Sequence, residues 1–276
     1  MAKSRSKGTA YLHGFSREEQ DRLKRQARFA EFAVFQNVNF SEVKNLLEVG
    51  VGVGAQTEII LRRFPEIKIT GIDKNKKQLE TARKFLEELP LAKGRFKIEE
   101  MDAHNLDYAP GTFDGAFLCW VLEHIPEPVR VLSEVRRVLK PNAPVVITEV
   151  MNHTFFLDPY SPNVWKYWMA FNDFQYEHAG DPFIGAKLGN LLMSQGFKDI
   201  QSNIKTWLLD NREPAQRKRT IDYWTELLLS AADKLIEAKY ITPDLVKKCT
   251  GELKAVATDP NAVFYFSFMQ VMARTA

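Results

Sequence analysis

The stretch Leu46-Leu47-Glu48-Val49-Gly50-Val51-Gly52-Val53-Gly54-Ala55-Gln56-Thr57 decides the fold. An apolar run ends in a carboxylate and is followed by three glycines at alternate positions, the pattern of a buried strand turning into a helix. Glycines at such an exit let the chain turn tightly and let backbone N–H groups approach a ligand with no Cβ in the way. They also aim the positive end of the next helix at that ligand. A nucleotide-type ligand is the expectation.

Downstream, the helix from Gln56 to Phe64 stops before Pro65, and Ile67 to Asp73 alternates into a second strand that also ends in a carboxylate. An acceptor-only group at Asp73 can take hydrogen bonds from both hydroxyls of a ribose. Leu79, Ala82, Leu86 and Leu89 recur at helical spacing until Pro90, which completes a βαβ unit. Arg95 to Glu100 reads as a third strand leading into Met101-Asp102-Ala103. Phe113 to Trp120 reads as a fourth, apolar on both faces as a central parallel strand should be. Three strand-end carboxylates, Glu48, Asp73 and Asp102, then line one crevice. Gly50, Gly52 and Ala55 also satisfy the dinucleotide fingerprint G-x-G-x-x-G/A, so the glycines alone leave an NAD-type oxidoreductase open.

The wider context separates the two. Glu48, the glycines Gly50, Gly52 and Gly54, and Asp73 together resemble the E/D-x-G-x-G-x-G motif of class I S-adenosylmethionine (SAM)-dependent methyltransferases. The run Leu122-Glu123-His124-Ile125-Pro126-Glu127-Pro128, the helix carrying Val131, Leu132, Val135, Val138 and Leu139, and Lys140-Pro141-Asn142 before the strand Val145 to Glu149 are similar to that family's second signature. Asn142-Ala143 stands where the family has a glycine pair, though asparagine also tolerates a left-handed conformation. This second block has no counterpart in the dinucleotide fingerprint.

The resemblance spans about Lys44 to Glu149. It implies an α/β fold: a Rossmann-like, seven-stranded, mostly parallel sheet with an antiparallel last strand inserted between the fifth and sixth, helices on both faces and an added helical cap. It implies SAM as cofactor, bound by Glu48, Gly50, Gly52, Gly54, Asp73, Lys74, Asp102, Ala103 and Trp120, with Asp102 and Ala103 at the adenine. One domain over residues 1–276 is expected, divided into an N-terminal lid or helical segment (1–43), a SAM-binding core (44–150), an aromatic insertion (151–181) and a C-terminal part with a helical insertion and the final strand (182–276).

Outside the core the residues speak for themselves. Ser16 with Glu19 three positions on reads as a capping box, so a helix begins there, with Leu23, Ala27 and Ala30 on one face. In the family such an N-terminal segment often lies over the cofactor, which would put Tyr11 and His13 beside the substrate; packing on the sheet edge is the competing reading. Met151 to Asp181 is dense in aromatics with no single period. Lying after the fifth strand, it is placed to cap the crevice, with Trp168 and Phe171 as substrate contacts; the same aromatics can instead fill a small core or face a second copy in a homodimer. Gly185 to Ser194 reads as a helix, Phe197 to Trp207 as a sixth strand, Pro214 to Ala257 as two or three helices, and Ala262 to Ala273 as the closing strand.

Composition narrows the function classes. At 276 residues and 45% hydrophobic the chain can bury a sizeable core. No stretch approaches the roughly 20 apolar residues of a membrane span, and no apolar signal region follows the N-terminus, so a cytoplasmic protein is expected. A net charge of +3 is well short of the field of a dedicated nucleic-acid binder. Cys119 and Cys249 are too few for a disulfide framework, and the five histidines show no metal-ligand spacing, so no metal is expected.

The expected activity is methyl transfer from SAM to a small-molecule acceptor by in-line displacement. Positioning supplies most of the rate in such chemistry, and a base helps where the acceptor is a hydroxyl or an acidic carbon. A histidine, with an ordinary pKa of about 6.5, suits that task. His178 and Tyr176 are the catalytic candidates; His124 is discounted because its Leu-Glu-His turn recurs in the family with many acceptors. An RNA methyltransferase, an NAD-type oxidoreductase and a non-catalytic SAM-binding protein are the alternatives.

Overall fold

The structure is a computed structural model and is described for residues 12–276. In chain order its elements are α1 (Arg17–Phe35), β1 (Asn45–Val49), α2 (Ala55–Arg63), β2 (Lys68–Asp73), α3 (Lys76–Glu87), β3 (Phe96–Glu100), β4 (Gly115–Cys119), α4 (Pro128–Val138) and β5 (Pro144–Val150). Then follow β6 (Phe156–Asp158), α5 (Pro162–Glu177), α6 (Leu188–Ser194), β7 (Lys198–Leu209), α7 (Pro214–Leu229), α8 (Ala232–Glu237), α9 (Pro243–Thr258) and β8 (Val263–Arg274). Among the described residues no helix is long and apolar enough to cross a membrane.

The sheet order is β3-β2-β1-β4-β5-β8-β6, with β7 on the other side of β8. Strands β1 to β5 pair in parallel. β8 runs antiparallel between β5 and β7, as expected of the last strand. The order reverses between β1 and β4, and in an open parallel sheet the crevice outside that switch point is where ligands bind.

The sheet has eight strands where seven were expected. The extra one is β6, only three residues long. β5 ends opposite Phe268 while β8 extends back to Val263, and Phe156–Asp158 take up the pairing positions at Val263 to Tyr265 that β5 leaves open.

Side chains alternate across the strands and so feed two cores. Leu46, Ile69, Phe117 and Val146 pack with α1, α2, α5, α7 and α9 on one face. Leu47, Val49, Leu118, Val145 and Ile147 pack with α4 and α6 on the other. Ser16 caps α1 by accepting the Glu19 amide at 3.2 Å. Asn142 closes the turn into β5 at φ +61, the left-handed conformation anticipated for it.

The aromatic insertion is more regular than its sequence suggests, because 16 of its residues form α5. Tyr167, Trp168, Phe171 and Phe174 are all buried there, and Tyr167 Oη donates to the Leu228 carbonyl at 2.6 Å. Its exposed stripe, Lys166, Met169, Asp173 and Tyr176, mixes apolar with charged residues, and Asn172 and Gln175 lie on the buried side, so the helix shows no clean amphipathic period. Its first turn is anchored from a distance: the Glu252 carboxylate of α9 accepts the amides of Asn163 and Val164 at 2.8 and 3.0 Å.

Candidate cofactor and acceptor site

The glycine turn is fixed from below. The Gly50 and Val51 amides donate to the Ile72 carbonyl at 2.8 and 3.0 Å, and Gly50 sits at φ +74. A Cβ there would lie 2.3 Å from Val121 Cγ2, so only glycine lets the turn nest against the end of β4. Gly52, at φ +51, has no atom nearer than 4.0 Å to such a Cβ, and its amide donates to Asp73 Oδ2 at 3.1 Å. The Asn75 amide reaches Asp73 Oδ1 at 2.9 Å. Burial raises the Asp73 pKa while these amides, and Lys74, pull the other way. A carboxylate held by one amide on each oxygen keeps lone pairs for further donors.

Asp73, Lys74, Asp102, Ala103 and Trp120 line one cavity of about 530 Å³ together with Gly50 and Gly52. Asp102 Oδ1 accepts the His104 amide at 2.9 Å and faces the His104 ring at 2.6 Å; burial works against ionisation, but the His104 contacts hold the carboxyl below its ordinary pKa. Trp120 stands at φ +54 with its amide on the Thr148 carbonyl, and its ring meets Phe268 edge-on at 5.9 Å.

Two residues of the expected cofactor set stand off the cavity wall. Glu48 is fully buried beneath the turn, where Thr57 Oγ1 donates to its carboxylate at 2.6 Å. Burial pushes its pKa up to about 8, against the Thr57 bond. It ties β1 to α2. Gly54 begins α2 at φ +77, and a Cβ there would press on Ala82 and Leu86 of α3 at 3.2–3.3 Å, so it serves helix packing.

The other half of the cavity is walled by the segment before α1, and by α1, α5, α7, β7 and β8. His13, Trp168, Phe171 and His178 are all in this wall. Tyr176, 43% exposed, is not, and Tyr11 lies outside the described residues. Ser230 donates its one hydroxyl proton to the Leu227 carbonyl at 2.8 Å, so it accepts from His13 Nδ1 at 2.7 Å. Burial, then the positive charge of Arg22, holds the His13 pKa well below its ordinary value. His178 caps the end of α5 and stacks on Phe174 at 4.0 Å. Its Nδ1 is 2.8 Å from the Phe174 carbonyl, which can only accept, so Nδ1 bears the proton and Nε2 is the lone-pair nitrogen.

Several wall residues had no local signal. Gln175 donates to Glu123 Oε2 at 2.9 Å, beside His124. Behind the wall, the fully buried Glu149 at the end of β5 accepts the amides of Val121, Leu122 and Glu123 at 3.0, 2.7 and 3.3 Å and so holds the turn that carries Trp120. Burial, and then Glu123, raises its pKa. Trp207, Tyr223, Trp224 and Phe266 reach the cavity from elements far along the chain; only folding brings them together. Among the described residues no three His, Cys, Asp or Glu side chains converge to hold a metal ion.

Residues 47–147 match the family model of a methyltransferase domain. The chain is 37% identical over 108 residues to a phosphatidylethanolamine N-methyltransferase of Cereibacter sphaeroides, covering 39% of this chain and 50% of that one. It is 33% identical over 108 residues to a demethylmenaquinone methyltransferase of Thermotoga maritima, covering 39% and 44%. The chain thus spans about half the length of these curated relatives. Among solved structures, a Haemonchus contortus phosphoethanolamine N-methyltransferase 2 bound to S-adenosylhomocysteine (SAH) superposes with a TM-score of 0.54 at 17% identity, over 92% of this chain and 52% of that one. The [4+2]-cyclase SpnF superposes with a TM-score of 0.54 at 21% identity, over 99% and 87%. Over residues 47–147 the chain is thus similar to the methyltransferase-domain family, and it shares the fold of the methyltransferase structure it superposes on.

The cofactor of this family is SAM, and the residues present fit it. A turn that a Cβ at Gly50 would block, a half-buried Asp73 with acceptor capacity left, and an acidic residue just after β3 converge on one cavity, each from a different strand end.

Proposed function

We propose that the protein transfers a methyl group from SAM to a small-molecule acceptor. The observation that carries this is the continuity of the cavity: the strand ends that suit the cofactor open without a partition onto an aromatic chamber. When bound, SAM supplies a methyl group made electrophilic by its positively charged sulfur. The chain supplies placement. Asp73 receives the ribose hydroxyls, Asp102 and Ala103 the adenine, and the glycine turn lets backbone amides approach. The aromatic wall excludes water and limits the poses an acceptor can take. His178 Nε2 accepts the proton that a hydroxyl acceptor releases. Tyr176 has no part in this, being off the wall.

A small acceptor is favoured over RNA because Arg22 and Lys74 are the only lysine or arginine side chains among the described lining residues. Both cysteines are free thiols, in keeping with a cytoplasmic setting.

The test is methyl transfer from labelled SAM to candidate acceptors by the native chain and by His178→Ala. Removing a general base should lower turnover by about 10²–10⁴-fold while leaving SAM affinity within about twofold. Unchanged turnover would remove His178 from the mechanism. SAM binding with no transfer to any acceptor would mark a binding protein.

A further inference from the structure

We infer that the acceptor is a neutral, ring-bearing molecule with a hydroxyl group, held by aromatic stacking and by uncharged hydrogen bonds. This rests on the reading of the site as a methyltransferase.

The first ground is the wall. Trp168, Phe171, Trp207, Tyr223, Trp224 and Phe266 enclose the acceptor half. The Trp168 and Phe171 rings are nearly parallel, 14° apart and stacked with centroids at 5.3 Å, and Trp224 meets Phe266 at 4.7 Å. Flat, polarisable walls of this kind favour a planar guest in offset or edge-on contact.

The second ground is charge. Among the described lining residues of this half, Arg22 and Glu123 are the basic and acidic side chains apart from the histidines, and both are already engaged. The Arg22 guanidinium grips Glu19 twice at 2.7 Å and donates to Gln26 and Tyr223 at 3.0 Å. The Glu123 carboxylate receives Gln175 at 2.9 Å and faces His124 at 3.6 Å. Either would have to break those bonds to meet a charged ligand. An ionised guest would therefore lose its hydration without a counter-charge, which is unfavourable in so enclosed a place.

The third ground is what the wall lacks. Trp224 Nε1, a donor, and Gln175 Oε1, an acceptor, belong to buried lining side chains, have no hydrogen-bond partner and are themselves covered, so a guest meets them when these side chains shift on binding. Buried polar atoms are rarely left so. Their complements are an acceptor and a donor without charge, and a hydroxyl offers both.

A matched ring series tests the inference. The full-length protein, saturated with SAH, is titrated calorimetrically at pH 7.5 with 2-naphthol, 2-naphthoate and 2-naphthylmethylammonium. The expected result is 2-naphthol binding at least tenfold more tightly than either charged partner. Phe171→Leu should weaken 2-naphthol at least threefold and leave SAH affinity unchanged, which also certifies the fold of the variant. Equal or tighter binding of either charged ring overturns the inference, as does a protein that binds SAH but no member of the series. Failure of SAH itself to bind overturns the reading of the site, and this inference with it.

Discussion

The two halves of the cavity are built in different ways. On the cofactor side each feature is a few consecutive residues at the end of one strand: Gly50 to Gly54 after β1, Asp73 at the end of β2, Asp102 after β3, Trp120 after β4. Backbone bonds hold them, and the sheet sets their spacing. On the acceptor side the wall residues come from elements scattered from the segment before α1 to β8, brought together by helix packing and, for Trp207 and Phe266, by the pairing of β7 with β8. The first half depends on dihedral angles and buried carboxylates, the second on ring contacts.

If that contrast is right, the most severe point change lies in the glycine turn. Gly50→Val sets a β-branched residue at φ +74 with its Cβ 2.3 Å from Val121 Cγ2. Backbone strain of about 1–3 kcal/mol and overpacking of about 1–3 kcal/mol both apply. Loss of SAH binding together with a clearly lower urea midpoint is expected. Native stability in the variant would mean the turn can relax, and the contrast with the aromatic half would weaken.

Next in size is Asp73→Ala. It removes the acceptor of the Gly52 and Asn75 amides along with the proposed ribose clamp. Hydrogen bonds to a charged group contribute about 1.5–3 kcal/mol each, so SAH affinity should fall at least tenfold, and by less in Asp73→Asn. Because burial raises this pKa, affinity in the native protein should begin to fall on acidification at a higher pH than an ordinary aspartate would give. Unchanged affinity in the alanine variant would move the clamp elsewhere.

The smallest effect separates residues that hold the turn from those that meet the ligand. Glu48 titrates at about 8 in the fold against an ordinary value of 4.5, so between those pH values the folded state keeps a proton that the unfolded chain releases. Its contribution to stability is therefore complete below 4.5, declines as pH rises to about 8, and levels off beyond. Glu48→Gln lacks this decline, and its stability relative to the native chain should improve by about 1 kcal/mol between pH 7 and 8 in urea titrations. A difference that does not vary with pH would mean that Glu48 is ionised in the fold.

What could be read from the sequence follows the same division. Strand, turn and carboxylate are neighbours in the chain, so the successive strands, their largely parallel sheet and the residues at their ends were legible. A motif cannot distinguish a residue that touches a ligand from one that braces the loop, and this is why Glu48 and Gly54 were placed at the ligand. The acceptor side was legible only as a concentration of aromatics. Its helix α5 exposes Met169 and Tyr176 beside Lys166 and Asp173 and buries Asn172 and Gln175, which blurs the period, and β6 is too short to show alternation. One signal went unused. Tyr176 and His178 are two positions apart, and residues so spaced do not share a helix face, so both could not have faced the cavity. Gln175 and Trp224, 49 positions apart along the chain, had no signal in the sequence that they share a wall.

The central claim is that the strand ends form a SAM site, and calorimetry on the native chain with SAH and with NADH tests it most directly. Binding of SAH in the micromolar range, with a free energy of about −8 kcal/mol, and no measurable heat from NADH is the predicted result. Tight NADH binding with no response to SAH would contradict it.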